Sequence, residues 1–181
     1  MKTILIISVC NESLHELEFV KPVSNILDEL NVKYELKYYK EVINFEEYSH
    51  VIICGTSLQD DYFLDGMEYF EWLRKYDGKV LGICAGMQIL GLLFGGDITK
   101  KTEIGFYMEN FPSDFLGVSG KQEVYHLHNN CIHNWKDTGF DVCCVGDGKV
   151  AQAVKHEDKE FYGILFHPEI RNKEMVKRFL E

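Results

Sequence analysis

The segment Lys79–Gly96, KVLGICAGMQILGLLFGG, decides the fold of this chain. An apolar run of strand length over Lys79–Ile83 passes directly into a helical pattern over Ala85–Phe94, which a Gly-Gly pair terminates. Glycines stand two residues before and two residues after Cys84, as in the tight strand-to-helix turn called a nucleophile elbow. We therefore predict that Cys84 occupies such a turn, lifted out of the sheet at the start of a helix.

Strand-like and helix-like patterns alternate upstream of this segment. Short apolar or alternating runs predict strands at Thr3–Val9, Tyr34–Tyr39 and His50–Cys54. Helical spacing follows a capping box at Ser13–Glu16, with apolar residues at Val23, Ile26, Leu27 and Leu30 and Pro22 in the first turn. The same kind of spacing recurs at Met67, Phe70, Leu73 and Tyr76. This alternation predicts a mostly parallel, twisted central sheet with helices on both faces.

The pattern downstream of the segment is different. Five strand-like runs are separated by short turns, at Ile104–Met108, Gln122–His128, Phe140–Val145, Val150–Lys155 and Phe161–Phe166. A closing helix is predicted over Asn172–Leu180. We expect these strands to add an antiparallel region that extends or flanks the sheet. Because no linker is visible, the chain is predicted to be a single α/β domain over residues 1–181.

The composition excludes several classes of partner. Nineteen Lys and Arg stand against 29 Asp and Glu, giving a net charge of -10, so we expect neither nucleic acid nor an anionic membrane as a partner. No apolar run reaches the roughly 18–20 residues of a membrane span, and the N-terminal run lacks the features of a signal peptide. The six cysteines form no CxxC pair, which is typical of a reducing compartment. We expect a cytoplasmic protein.

The segment FYGILFHPEI, residues 161–170, offers Cys84 a catalytic partner. A thiolate is stabilised at a helix start, and as a nucleophile it needs an imidazole that a carboxylate orients. His167 and Glu169 stand two residues apart just after a predicted strand, with a proline between them. Since ligands bind at the carboxyl ends of parallel strands, we expect Cys84 and His167 to converge there.

These two segments resemble the motifs of the class I, triad-type glutamine amidotransferases. GICAGMQ at Gly82–Gln88 is similar to the family's nucleophile motif, and GILFHPE at Gly163–Glu169 is similar to its histidine motif. FGGDITKKTEIGFYMENF at residues 94–111 and VYHLHNN at residues 124–130 resemble family segments that lie between the two. VAQAVKHEDKEFYGILFHPE at residues 150–169 is especially like the glutaminase subunit or domain of GMP synthetase. The resemblance covers most of residues 50–181.

The resemblance implies a flavodoxin-like amidotransferase fold and a glutaminase reaction on L-glutamine. In that reaction Cys84 would attack the side-chain amide, His167 would transfer protons, and Glu169 would orient His167. Gln88 and His128 match positions that the family uses at the bound glutamine. The ammonia would pass to a separate ATP-dependent synthetase, for which amination of xanthosine monophosphate is the nearest analogy. The resemblance implies no cofactor and no metal.

The oxyanion hole is the part of the site where the sequence departs from the family pattern. The backbone N–H of Ala85 is expected to supply one donor, and the loop at Gly55 and Thr56 the other. Many members have a second glycine where this chain has Thr56, and a β-branched residue disfavours positive φ. We therefore predict a hole that a partner or the substrate completes. A second departure is Leu127, which precedes His128 where the family usually has a serine.

Three other hypotheses stay open at this stage. The strand-like segment carries four side chains that zinc could bind, His126, His128, Cys131 and His133, although the family uses this segment without a metal. A self-contained cysteine hydrolase of γ-glutamyl compounds would need no partner. A non-catalytic regulatory or binding module would keep the fold without the reaction, and the substitution at Thr56 is the feature that favours it.

Overall fold

The computed structural model describes residues 3–181, which contain nine strands and four α-helices. The strands are β1 (Thr3–Ser8), β2 (Tyr34–Tyr38), β3 (Tyr48–Ile53), β4 (Lys79–Ile83), β5 (Asp97–Phe115), β6 (Val118–His133), β7 (Phe140–Val145), β8 (Ala151–His156) and β9 (Phe161–Ile164). The α-helices are α1 (Ser13–Phe19), α2 (Lys21–Glu29), α3 (Ala85–Leu93) and α4 (Lys173–Phe179).

Seven strands form the central sheet, in the order β2-β1-β3-β4-β9-β8-β7. The first five are parallel to their neighbours, whereas β8 and β7 are antiparallel additions at one edge. The predicted mostly parallel sheet with an added antiparallel region is therefore confirmed. Because β4 lies between β3 and β9, the loops that follow these three strands are neighbours at one edge of the sheet.

Alternate residues of the parallel strands pack on opposite faces of the sheet. On one face, Leu5 and Ile7 belong to the cluster that includes α3 and the helical segment before β4. On the other, Ile4 and Ile6 pack with the apolar residues of α2 and α4. Both faces are covered, as expected for a parallel sheet whose strands read as continuous apolar runs. In the described part of the chain, no helix combines the length and the apolar character needed to cross a bilayer.

The capping box predicted at the start of the first helix is not formed. Ser13 is already the first helical residue, so Glu12 is at the N-cap position and makes no side-chain capping bond. The helical pattern is also divided at Val20 into α1 and α2. Pro22 explains the division, because it has no N–H to donate to the carbonyl four residues earlier, although a proline is tolerated in the first turn of α2.

The segment Tyr62–Lys75 is a 3-10 helix kinked at Gly66 instead of the α-helix predicted around Met67–Tyr76. Four apolar residues here, Met67, Phe70, Leu73 and Tyr76, are spaced by three, which fits one face of either type of helix. Phe70 and Leu73 are buried by this arrangement. The spacing therefore predicted a helix without distinguishing its type.

The strands β5 and β6 form a separate two-stranded antiparallel hairpin that is much longer than the predicted strands within it. Its inward face carries polar residues, including Glu103 and Glu109, which are buried. Its outward face carries Ile104, Phe106 and Met108, which are exposed. The hairpin reaches the central sheet through a hydrogen bond from the His167 N–H to the Tyr125 carbonyl, 2.8 Å long.

Candidate active site

Cys84 lies between the end of β4 and the start of α3, in a backbone conformation that only glycine adopts freely. Its φ is 50° and its ψ is -102°. The flanking glycines are required, because a Cβ at Gly82 would lie 2.5 Å from the Gly86 carbonyl oxygen and a Cβ at Gly86 would lie 2.4 Å from the Ile53 carbonyl oxygen. The turn therefore holds Cys84 in a strained, defined position at a helix N-terminus.

His167 and Glu169 follow β9, the strand that is hydrogen-bonded to β4. His167 Nδ1 lies 2.7 Å from Glu169 Oε1, and both side chains are buried. Gly55, after β3, lies against both partners of the site, since a Cβ there would be 2.8 Å from His167 Cε1 and 3.2 Å from Cys84 Cβ. Cys84 and His167 thus border the same glycine at the carboxyl edge of the sheet.

The electrostatics of this group favour a protonated imidazole. Burial opposes the charged form of His167, but the negative charge of Glu169 and the proximity of Cys84 outweigh it, so that the pKa of His167 is held well above its ordinary value. A protonated imidazole beside a cysteine stabilises the thiolate, which is the nucleophilic form. The arrangement therefore sets a charged imidazole near Cys84 in a water-poor site.

A small pocket opens beside Cys84. Its wall includes Ala85 and Gln88 from α3, Thr56 from the loop after β3, and residues 127–130 from β6. Gln88 Nε2 donates to the Asn130 carbonyl oxygen over 3.2 Å, which orients the Gln88 amide. As the first residue of α3, Ala85 has an N–H without a helical acceptor, which makes it available to a ligand in the pocket.

The loop after β3 is fixed by Asp60 and shows no positive φ. Neither Gly55 nor Thr56 has a positive φ, so the conflict that the sequence predicted between Thr56 and its backbone is absent in this conformation. Thr56 Oγ1 donates to Asp60 Oδ2 over 2.8 Å, and the Asn11 N–H donates to the same oxygen over 2.8 Å. His15 Nδ1, on α1, is 3.5 Å away from it. The Thr56 hydroxyl thus stabilises this conformation of the loop through its hydrogen bond to Asp60.

His128 belongs to the wall of the pocket. Its Nδ1 is 3.1 Å from the Lys101 carbonyl oxygen and its Nε2 is 3.0 Å from Glu103 Oε2. Both ring nitrogens therefore have partners within the protein, which hold the imidazole in place. A direct contact between His128 and glutamine stays a prediction.

Asn129 and Asn130 are pocket residues that the sequence reasoning missed. Asn129 Nδ2 donates to the Leu58 carbonyl oxygen over 3.0 Å, and Asn130 Nδ2 donates to Asp61 Oδ1 over 3.2 Å. These bonds join β6 to the loop after β3. Asparagine is depleted in strands, so two adjacent asparagines inside a strand pattern were the available signal.

The four potential zinc ligands do not come together as one group. Of the four, His126 and His128 belong to one cluster, and the third side chain of that cluster is Glu103. Cys131 belongs to the hydrophobic core and His133 is exposed. The sequence spacing could not include Glu103, because it lies on the opposite strand of the hairpin.

Comparison with known proteins identifies the family. The family model for glutamine amidotransferase class-I matches residues 15–181. The chain belongs to the class I glutamine amidotransferases. A curated relative from Picrophilus torridus, one subunit of its glutamine-hydrolysing GMP synthase, is 31% identical over 120 residues, which cover 61% of this chain and 63% of the relative. The corresponding protein from Methanosphaera stadtmanae is 34% identical over 108 residues, covering 56% of this chain and 57% of the relative.

The fold of this amidotransferase is also found among solved structures. A Thermoplasma acidophilum protein assigned to GMP synthase superposes with a TM-score of 0.86 at 21% identity, covering 99% of this chain and 92% of that one. At this level of identity the likeness shows the fold alone. The alignments to the two curated relatives named above span 63% and 57% of their lengths.

Proposed function

We propose that this amidotransferase hydrolyses the side-chain amide of L-glutamine and supplies the ammonia to a separate ATP-dependent synthetase, as the glutaminase subunit of a GMP synthetase. Family membership and the similarity to glutamine-hydrolysing GMP synthases support the reaction class. The observation that carries the proposal is the strained elbow at Cys84, packed around Gly55 against the His167–Glu169 pair.

The proposed reaction has two steps. The Cys84 thiolate attacks the amide carbon of glutamine, and the protonated His167 gives its proton to the nitrogen as the C–N bond breaks, releasing ammonia and leaving a glutamyl thioester. His167, now neutral, takes a proton from water, whose oxygen attacks the thioester and releases glutamate and the Cys84 thiolate. Glu169 keeps the imidazole oriented and stabilises its charged form.

The oxyanion of each tetrahedral intermediate needs backbone donors. The Ala85 N–H is the first candidate, because it begins α3 next to Cys84. The loop of Gly55 and Thr56 is the second, since Gly55 touches both Cys84 and His167. We propose that this loop adjusts when glutamine or the synthetase binds, and that the Thr56–Asp60 hydrogen bond resists the adjustment in the isolated chain.

The surface around His167 supports a partner that receives ammonia. A groove beside His167 is lined mainly by apolar residues, including Phe19, Tyr125 and Leu127. Leu127 also lines the pocket beside Cys84, so the groove and the pocket are neighbours. The elements that line this groove also carry exposed apolar side chains, namely Leu14 and Leu17 on α1, Ile104 and Phe106 on the hairpin, and Ile170 after β9. Such a surface suits a protein interface, and an apolar route favours neutral ammonia over ammonium. A reducing, cytoplasmic setting is part of the proposal, because all six cysteines are free thiols.

Ammonia release from glutamine tests the proposal. The purified chain should release ammonia slowly by itself and faster when a GMP synthetase lacking its own glutaminase domain is added with xanthosine monophosphate and ATP. A diazoketone analogue of glutamine should label one thiol per chain. Cys84→Ala should abolish both labelling and turnover, while the matched variant Cys143→Ala, at a partly exposed cysteine of β7, should retain both.

Each failure of this test has a distinct meaning. Full turnover that is indifferent to any synthetase would favour the self-contained hydrolase. An unreactive Cys84 and no turnover with any synthetase would favour the non-catalytic module. Labelling that persists in Cys84→Ala would overturn the assignment of the nucleophile.

A further inference from the structure

Three buried side chains on the inward face of the hairpin bring their ligand atoms around one point. Glu103 Oε2 is 3.0 Å from His128 Nε2, which is 3.3 Å from His126 Nδ1, which is 3.9 Å from Glu103 Oε2. A triangle with these sides has a circumscribed circle of radius about 2.0 Å, so one point lies at that distance from all three atoms. The three side chains are at most 2% exposed.

That distance is the one at which zinc binds histidine nitrogen and carboxylate oxygen, about 2.0–2.2 Å. We propose that Glu103, His126 and His128 form a binding site for a divalent cation of the zinc class. Imidazole and carboxylate are ligands that such a cation accepts together, and three protein ligands leave a fourth position open. The site shares His128 with the wall of the pocket beside Cys84 and does not include Cys84 or His167.

The second ring nitrogens of both histidines lie near groups that could form a metal site's outer shell, although only that of His128 is hydrogen-bonded in this conformation. Histidine ligands of a metal usually direct their second ring nitrogen at a carbonyl or a carboxylate. Here His128 Nδ1 is 3.1 Å from the Lys101 carbonyl oxygen, and His126 Nε2 is 3.3 Å from Glu109 Oε1. Because a carbonyl only accepts hydrogen bonds, it holds the proton on His128 Nδ1 and leaves the Nε2 lone pair facing Glu103.

A proton shared by His128 and Glu103 could occupy this position instead of a cation. It would leave more of the buried polar atoms in the cluster without a partner than a cation would. Three buried atoms of this cluster have no hydrogen-bond partner among the described residues, namely Glu103 Oε1, His126 Nε2 and Gln152 Oε1. A cation would engage His126 Nδ1 directly and orient that ring toward Glu109. A flip of the Gln152 amide, whose Nε2 now lies 2.8 Å from Glu103 Oε2, would present its oxygen as a fourth ligand.

The charges near the site are mixed. Glu103 and Glu109 are both buried carboxylates, which a divalent cation would neutralise. Lys101 Nζ approaches from the more exposed side and lies 3.9 Å from Glu103 Oε1, the oxygen that does not face the histidines. The cation would therefore bind on the histidine side of Glu103. The bound cation would hold β5 and β6 together. Through His128 it would also restrict the motion of the pocket residues Asn129 and Asn130.

Direct metal binding tests this inference independently of the proposed reaction. The Cys84→Ala variant is used throughout, because the active-site thiol and His167 could themselves bind zinc. Chelator-treated protein should bind one Zn²⁺ per chain by calorimetry and elemental analysis, and its thermal unfolding midpoint should rise. Co²⁺ should give the visible absorption of a tetrahedral nitrogen- and oxygen-ligated ion, without the intense near-ultraviolet band of a thiolate ligand.

Variants assign the site to its residues. Glu103→Gln and His126→Gln should remove Zn²⁺ binding, and Glu109→Gln should weaken it by about 10–100-fold as a loss from the outer shell. The control His133→Gln, at an exposed histidine of the same strand, should bind normally. The inference is overturned if Cys84→Ala binds no Zn²⁺ or Co²⁺, if the Co²⁺ spectrum shows thiolate ligation, or if folded Glu103→Gln binds as well as the control.

Discussion

His167 Nδ1 and Glu169 Oε1 are 2.7 Å apart in an environment from which water is almost excluded. The two residues are separated by Pro168 alone, so the turn after β9 brings the imidazole and the carboxylate together. A buried carboxylate has few ways to be stabilised other than by a charged partner. The pair therefore fixes the orientation of the imidazole and keeps its charged form available.

Replacing Glu169 tests the role of this pair in the reaction. Glu169→Gln keeps the size of the side chain but removes the charge that holds the pKa of His167 above its ordinary value. We expect kcat for glutamine hydrolysis to fall by on the order of 10³–10⁴-fold, the scale seen when the orienting acid of a triad is lost, with a smaller change in KM. An unchanged kcat would show that Glu169 has no part in catalysis.

The same pair predicts the pH dependence of folding. The pKa of His167 is raised in the folded state, above the unfolded value of about 6.5. The stabilisation from its charged form is therefore complete below about pH 6.5 and is lost as the pH rises through the folded-state pKa. Urea unfolding should show that the free energy of unfolding of the parent chain declines as the pH rises above about 6.5, and that this decline is absent in Glu169→Gln. A decline of equal size in both proteins would contradict the linkage to His167.

Strain at Cys84 gives a prediction with an internal control. Both Cys84→Ala and Cys84→Gly remove the thiol, but only glycine adopts a φ of 50° without a steric penalty of about 1–2 kcal/mol. We expect Cys84→Gly to be more stable than Cys84→Ala by about 1 kcal/mol, although glycine is ordinarily the less stable of the two in regular structure. The measurement is chemical denaturation at equilibrium. A more stable Cys84→Ala would mean that the elbow is not strained.

Thr56 is the residue through which the loop after β3 can be released. Thr56→Gly removes the hydroxyl that donates to Asp60 and lets the backbone take any φ, so basal glutaminase activity should rise. Losing one oxyanion donor lowers a rate by on the order of 10²–10³-fold, so the synthetase should stimulate the parent chain by about that factor. In Thr56→Gly the ratio of stimulated to basal activity should be smaller, because the basal activity is higher.

Two further variants separate the hydroxyl from the backbone in this loop. Thr56→Ser keeps the hydrogen bond and should behave like the parent chain. Thr56→Val keeps the β-branched shape without the hydroxyl, and an activity equal to that of Thr56→Gly would assign the whole effect to the bond with Asp60. Basal activity that falls in Thr56→Gly would contradict the proposed role of the loop.

The sequence by itself determined the sheet type, the elbow and the pairing of His167 with Glu169. These features depend on neighbours along the chain: apolar runs of strand length, glycines two residues from Cys84, and a proline between the histidine and the acid. Local sterics act within a few residues, so a pattern of this kind is readable without a structure. The spacing of Phe70 and Leu73 predicted a helix, but its 3-10 form was not predicted.

Only the tertiary structure decided which distant side chains meet. Glu103 meets His126 and His128 because the hairpin places opposite strands in register, and Gln152 reaches them from another strand. Asn130 binds Asp61 because β6 packs beside the loop after β3. These contacts depend on strand register and on the packing of a hairpin whose inward face is polar. Neither is encoded by a local period, so the contacts of the His128 ring with Lys101 and Glu103 could not be read from the sequence.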